Sequence, residues 1–123
     1  MARILVVEDE VALVQVIRTV LEGDDHSVLQ AFDGQTGLEV ALRERPALVI
    51  ADQMLPTMTG TDLCQALKKE NLDPPIPLLL MTAGNVPVGD GCPDRILRKP
   101  FSLEELEAVV AEMLQTRAPS FFG

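Results

Sequence analysis

The stretch Ala47-Leu48-Val49-Ile50-Ala51-Asp52 decides how this chain folds. Five apolar residues in a row suit a strand buried on both faces. Such a strand then ends on a carboxylate, which is costly to bury unless positive charge meets it. Three other apolar runs also end in polar groups. Ile4-Leu5-Val6-Val7 enters Glu8-Asp9, Leu78-Leu79-Leu80-Met81 enters Thr82, and Arg95-Ile96-Leu97-Arg98 enters Lys99-Pro100. Drawn as parallel strands, they gather these polar residues at one sheet edge, where open α/β sheets place their sites.

The segments between the runs read as helices. Val14, Ile17 and Leu21 recur at helical spacing over residues 11–21, with Val11, Leu13, Val16 and Val20 widening the stripe and Gly23 as the stop. A short strand over residues 27–31 precedes the Asp33-Gly34 turn and a helix with Leu38, Ala41 and Leu42 inward, ended by Pro46. After Asp52 comes a loop over residues 53–60, then a helix to about residue 70 with Leu63, Ala66 and Leu67 facing in. Ser102, with Glu105 three residues on, reads as a capping box for a last helix. Its buried face is Leu103, Leu106, Val110, Met113 and Leu114. Strands and helices in alternation imply a doubly wound parallel sheet. Between Thr82 and Arg95, however, three glycines and two prolines disfavour a helix, and a loop or at most one turn is expected.

A length of 123 residues fits one domain, with 47% hydrophobic residues to fill its core. No apolar run approaches the ~20 residues that span a bilayer, and there is no signal-peptide pattern, so a cytoplasmic protein without membrane contact is expected. Nineteen acidic against ten basic residues give a formal charge of −9, which argues against nucleic-acid binding by this chain. Cys64 and Cys92 lack metal-ligand spacing and read as a buried residue and a loop thiol. His26, remote from the strand ends, reads as surface or half-buried packing.

Glu8, Asp9 and Asp52 at one edge repel one another, and a hard divalent cation resolves the repulsion. Mg²⁺ suits such a site, since it accepts one or two carboxylates and takes phosphate oxygens as further ligands. Taken alone, Glu8-Asp9-Glu10 is better read as the acidic start of a helix. Lys99 and Thr82 change the balance: a lysine neutralises an acyl phosphate, and a strand-end hydroxyl hydrogen-bonds a phosphoryl oxygen. Four of five strand ends then carry suitable groups in order.

With these residues in view, the chain resembles the receiver domain of a bacterial two-component response regulator over residues 3–116. The matching stretches are Arg3-Ile4-Leu5-Val6-Val7-Glu8-Asp9-Glu10, Leu48-Val49-Ile50-Ala51-Asp52-Gln53-Met54-Leu55-Pro56 with Gly60, Met81-Thr82-Ala83 and Lys99-Pro100-Phe101. The resemblance implies a flavodoxin-like five-stranded sheet of order 2-1-3-4-5, with the family's fourth helix shortened or replaced by a loop. It divides the chain into a domain over residues 1–116 and a tail or linker start over 117–123. It implies that Asp52 accepts a phosphoryl group from a sensor histidine kinase or phosphotransfer protein. Mg²⁺ would be bound by Asp9 and Asp52 directly, Glu8 mainly through water, and Met54 through its carbonyl. Lys99 would contact the phosphoryl group, Thr82 would move to hydrogen-bond it, and the Ala83 N–H would donate to it. A cis Lys99–Pro100 peptide is implied as well. The output would be a downstream protein target or a fused output domain.

Two departures stand out. The family's aromatic residue three positions before the lysine is Ile96 here, and the chain has no Tyr or Trp. Residues 83–94 are too short and too rich in Gly and Pro for the usual helix, so they read either as an order–disorder switch or as an inert deletion. Two other functions compete: a degenerate receiver that binds constitutively, and a Mg²⁺-dependent aspartyl phosphatase. The phosphatase would want an acid at Met54. The degenerate receiver would have lost one of the acidic or lysine positions. The tail ends in Phe121-Phe122-Gly123 and reads as a linker or a docking peptide.

Overall fold

The computed structural model describes residues 1–86, 89 and 91–117. Five strands, β1 (Arg3–Val7), β2 (Ser27–Ala31), β3 (Leu48–Asp52), β4 (Leu78–Thr82) and β5 (Arg95–Arg98), form one parallel sheet in the order β2-β1-β3-β4-β5. Helices α1 (Val11–Gly23), α2 (Gly34–Glu44), α3 (Gly60–Lys69) and α4 (Leu103–Arg117) alternate with them, except between β4 and β5. The parallel sheet with alternating helices is what the sequence pattern implies, and the strand order is the one that the resemblance implies.

Alternation along the strands divides the core into two layers. Ile4, Val6, Ile50, Leu79, Met81 and Leu97 pack with α1 and α4 through Ile17, Leu21, Leu106 and Val110. Leu5, Val7, Val49, Ala51, Leu78 and Leu80 pack with α2 and α3 through Ala41, Leu63, Cys64 and Leu67. The central strands β3 and β4 are buried at every position, which is why they read as unbroken apolar runs.

Side-chain caps fix where α2, α3 and α4 begin, whereas α1 starts after Glu10 without one. The expected box at α4 is present: Glu105 N–H donates to Ser102 Oγ at 3.0 Å, and Ser102 N–H to Glu105 Oε1 at 2.9 Å. Asp33, read from sequence as a turn residue, caps α2 by accepting from Thr36 N–H at 2.7 Å. A second box, Thr59 with Asp62, starts α3. Its residues straddle the boundary between the expected loop and helix.

Several side chains face otherwise than their spacing suggests. Leu103 is 43% exposed because it opens the first turn of α4, at the rim of the sheet, and Val109 takes up the buried face instead. Val11 and Val16 are exposed on the flank of α1, away from the Val14-Ile17-Leu21 line. On α3, Cys64 is buried while Ala66 is only half-buried. Cys92 lies in the loop, as expected, but is buried in the same layer as Cys64.

The burial of Cys92 follows from the missing helix. Among the described residues between β4 and β5 none is helical, and Val86 and Cys92 pack onto the α3-side layer. Gly89 and Cys92 exchange backbone hydrogen bonds at 3.3 and 2.9 Å, around a turn in which Gly91 has φ +72°. Asp94 anchors the end of the segment. Its carboxylate accepts from Leu78 N–H at 2.8 Å and from Lys68 Nζ at 3.1 Å. The Lys99–Pro100 peptide is cis, as the resemblance implies. Phe121 and Phe122 lie outside the described residues.

One glycine sets how closely α3 approaches the end of β3. A Cβ on Gly60 would stand 2.6 Å from the Asp52 carbonyl oxygen and would also meet the Leu80 side chain. Gly60→Ala should therefore destabilise the protein by about 1–3 kcal/mol. Urea unfolding checks it, and a variant as stable as the parent would show that α3 shifts freely.

Candidate functional site

The site lies at the carboxyl end of the sheet, where β1, β3, β4 and β5 end side by side. Glu8 and Asp9 leave β1, and Glu8 N–H donates to the Ala31 carbonyl at the end of β2 at 3.0 Å. Asp52 is the last residue of β3 and is registered with Met81 on β4. Thr82 ends β4, and Lys99 follows β5 with its N–H donating to the Thr82 carbonyl at 2.9 Å.

These tethers bring charges from three segments together beside the Thr82 hydroxyl. Glu8, Asp9 and Asp52 each offer a carboxylate oxygen within 4.8 Å of the others. Lys99 Nζ donates to Asp52 Oδ2 at 3.0 Å and stands 3.8 Å from Glu8 Oε1. The other Asp52 oxygen accepts from Met54 N–H at 3.3 Å. Glu8 Oε2 accepts from Glu10 N–H at 2.9 Å, whereas the buried Glu8 Oε1 has no hydrogen-bond partner. Asp9 is exposed, so the cluster opens to solvent on that side.

With all four groups ionised the cluster would carry a net charge of −2, since one lysine meets three carboxylates. Protonation of Glu8 relieves part of that. Burial pushes its carboxyl up from the ordinary 4.5 to about 7; the Glu10 N–H opposes the rise, and the neighbouring Asp52 and Asp9 carboxylates add to it. An unpartnered buried oxygen, two further carboxylates and one open side fit a hard divalent cation with oxygen ligands.

The remaining expected residues surround this cluster. Thr82 is buried, with its Oγ1 accepting from Gly84 N–H at 3.1 Å. Ala83 is exposed beside Lys99. Met54 is 77% exposed and touches the site through its backbone. Next to Lys99 opens a groove of about 460 Å³, lined by Leu13, Val16, Ala83, Phe101 and Leu103 among others. Its apolar wall was not legible in the sequence, where Leu13, Val16 and Leu103 read as core. His26 is half-buried and accepts from Ala2 N–H through Nδ1, well away from the site. Among the described residues no helix is long and apolar enough to cross a membrane.

A profile of the response regulator receiver domain matches residues 4–111. The DNA-binding dual master transcriptional regulator RpaA of Synechocystis is 34% identical over 120 residues, which cover 94% of this chain and 50% of that protein. The response regulator MprA of Mycobacterium leprae is 35% identical over 122 residues, with 95% and 53% covered. The chain thus spans about half the length of the curated relatives it matches. Among solved structures, the chemotaxis response regulator CheY4 of Vibrio cholerae superposes with a TM-score of 0.83 at 26% identity, covering 92% of this chain and 98% of that one. A response regulator receiver domain protein from Clostridium thermocellum does so with 0.82 at 25% identity, covering 95% and 97%.

The raised Glu8 carboxyl makes a signed prediction. The folded protein holds the Glu8 proton more tightly than the unfolded chain does. Without divalent cation, stability should therefore fall as pH rises from about 4.5 to about 7, by up to about 1.4 kcal/mol per pH unit. A bound cation must displace that proton, so Mg²⁺ affinity should weaken by up to about tenfold per pH unit below pH 7. Unfolding with chelator and with Mg²⁺ checks both, and Glu8→Gln should flatten the first slope. A slope unchanged in that variant would assign it to other groups.

Proposed function

The chain belongs to the response regulator receiver domain family, and from that premise we propose that Asp52 is its phosphoacceptor. The observation that carries the reading is the Lys99–Asp52 pair at 3.0 Å inside a cluster of carboxylates. A carboxylate oxygen of Asp52 attacks phosphorus in the phosphohistidine of a sensor histidine kinase or phosphotransfer protein. The P–N bond breaks, its electron pair stays on the imidazole, and an aspartyl phosphate forms. Transfer of this kind depends mainly on position and on charge neutralisation, which this edge of the sheet is built to supply.

The roles divide among the gathered side chains. Lys99 holds Asp52 in place and neutralises charge on the phosphoryl oxygens. Thr82 turns its hydroxyl to a phosphoryl oxygen, and the exposed Ala83 leaves room for the group and offers its N–H. Glu8, Asp9, Asp52 and the Met54 carbonyl would hold Mg²⁺. When bound, that ion supplies positive charge shared between carboxylates and phosphate. The chain catalyses only its own phosphorylation and dephosphorylation. Met54, two residues after Asp52, has no proton to give a leaving alkoxide, which counts against a phosphatase. Every acidic position and the lysine are present, which counts against a degenerate receiver.

A protein donor reaches Asp52 from the open side, where the groove beside Lys99 offers an apolar wall. Output runs through protein contacts, to a separate target or to a fused output region such as the longer relatives have room for. RpaA is named for DNA binding. With a formal charge of −9, these 123 residues are a poor surface for phosphate backbone, so any such contact lies outside them.

Incubation with Mg²⁺ and acetyl phosphate should add the mass of one phosphoryl group to the intact chain, and Asp52→Asn should abolish the addition. Mass spectrometry of the two proteins decides the matter. Labelling that persists in the variant moves the acceptor elsewhere, and steady turnover of small phosphate esters would revive the phosphatase.

A further inference from the structure

We propose that Arg98 is a positioning residue that holds the Thr82 hydroxyl in its resting orientation and so opposes the phosphorylated state. The inference rests on Asp52 as phosphoacceptor and adds a residue that the charged cluster does not include. In the β4–β5 ladder Thr82 is registered with Arg98, so their side chains leave the same face of the sheet. Arg98 Nη1 donates to the Gly84 carbonyl at 3.0 Å. The N–H of that same Gly84 donates to Thr82 Oγ1 at 3.1 Å, and the Thr82 hydroxyl faces the Gly84 carbonyl at 3.5 Å. Thr82, Gly84 and Arg98 therefore form one hydrogen-bonded latch across the end of the sheet.

Packing does not place Gly84. It is exposed, and a Cβ built on it would meet nothing within 4 Å. No helix comes after it among the described residues before β5, so hydrogen bonds are what fix this turn. Arg98 supplies a charged donor, the stronger kind, though exposure to water reduces its worth. To reach a phosphoryl oxygen on Asp52, Thr82 must turn away from Gly84. By gripping the carbonyl, Arg98 keeps the Gly84 N–H where it competes for Thr82. Ile96, the next residue of β5 on that face, has no polar group to take over the task.

The test compares the full chain with Arg98→Ala and Arg98→Lys, using beryllofluoride with Mg²⁺ as the acyl phosphate mimic. Loss of one exposed charge-assisted bond should raise beryllofluoride affinity about threefold in Arg98→Ala and speed hydrogen exchange at the Gly84 amide by a similar factor. Arg98→Lys keeps a cationic donor and should remain close to the parent in both. Equal affinity in parent and Arg98→Ala overturns the proposal, even if Gly84 exchanges faster, because the latch would then be uncoupled from Thr82. Weaker binding in Arg98→Ala overturns it too, since Arg98 would favour the modified state. Failure of the underlying reading shows itself separately, as a parent protein that takes up no beryllofluoride at all.

Discussion

Lys99 and Asp52 meet at 3.0 Å on the edge of a sheet whose central strands are wholly buried, and the local design depends on that contact. Asp52 is 8% exposed and Glu8 1%, so neither carboxylate has enough water to carry its charge cheaply. One ammonium group answers part of this, and protonation of Glu8 answers more. The rest is left as an attraction for cations on the open side, at Asp9. A site that is short of positive charge at rest is well suited to chemistry that brings a cation and a phosphoryl group together.

The fold serves this contact through backbone tethers. Gly60 lets α3 start against the Asp52 carbonyl, and the Lys99 N–H is bonded to the Thr82 carbonyl across β4 and β5. The clustered side chains thus sit on strand ends, whose place is set by the ladder and by two packed layers. Loop residues such as Met54 and Ala83 contribute backbone groups and space.

The departure between β4 and β5 is compensated in packing and open in signalling. Cys92 and Val86 fill the layer that a helix would cover, and Asp94 ties the segment to Leu78 and Lys68. Immediately after Thr82 the chain therefore makes a turn held by hydrogen bonds and exposed to solvent. A switch built there depends on few contacts, which makes each one count for more.

The sequence alone indicated the strands and the meeting of Glu8, Asp9, Asp52, Thr82 and Lys99 at one edge of the sheet, whereas the order of the strands is what the resemblance to receiver domains implies. Apolar runs and their polar ends are local signals, and parallel topology then leaves only one edge for them. Facing was less legible: Val16 lies exposed on the flank of α1 and Leu103 in the first turn of α4, because helical spacing alone does not fix how wide a face the sheet covers. Cys92 looked like a loop residue and is buried, because only the folded chain shows the gap it fills. The raised Glu8 carboxyl and the Arg98–Gly84–Thr82 connection belong to tertiary structure entirely. The first arises from desolvation by neighbouring segments, the second from a strand register that brings residues distant in the chain within hydrogen-bond reach.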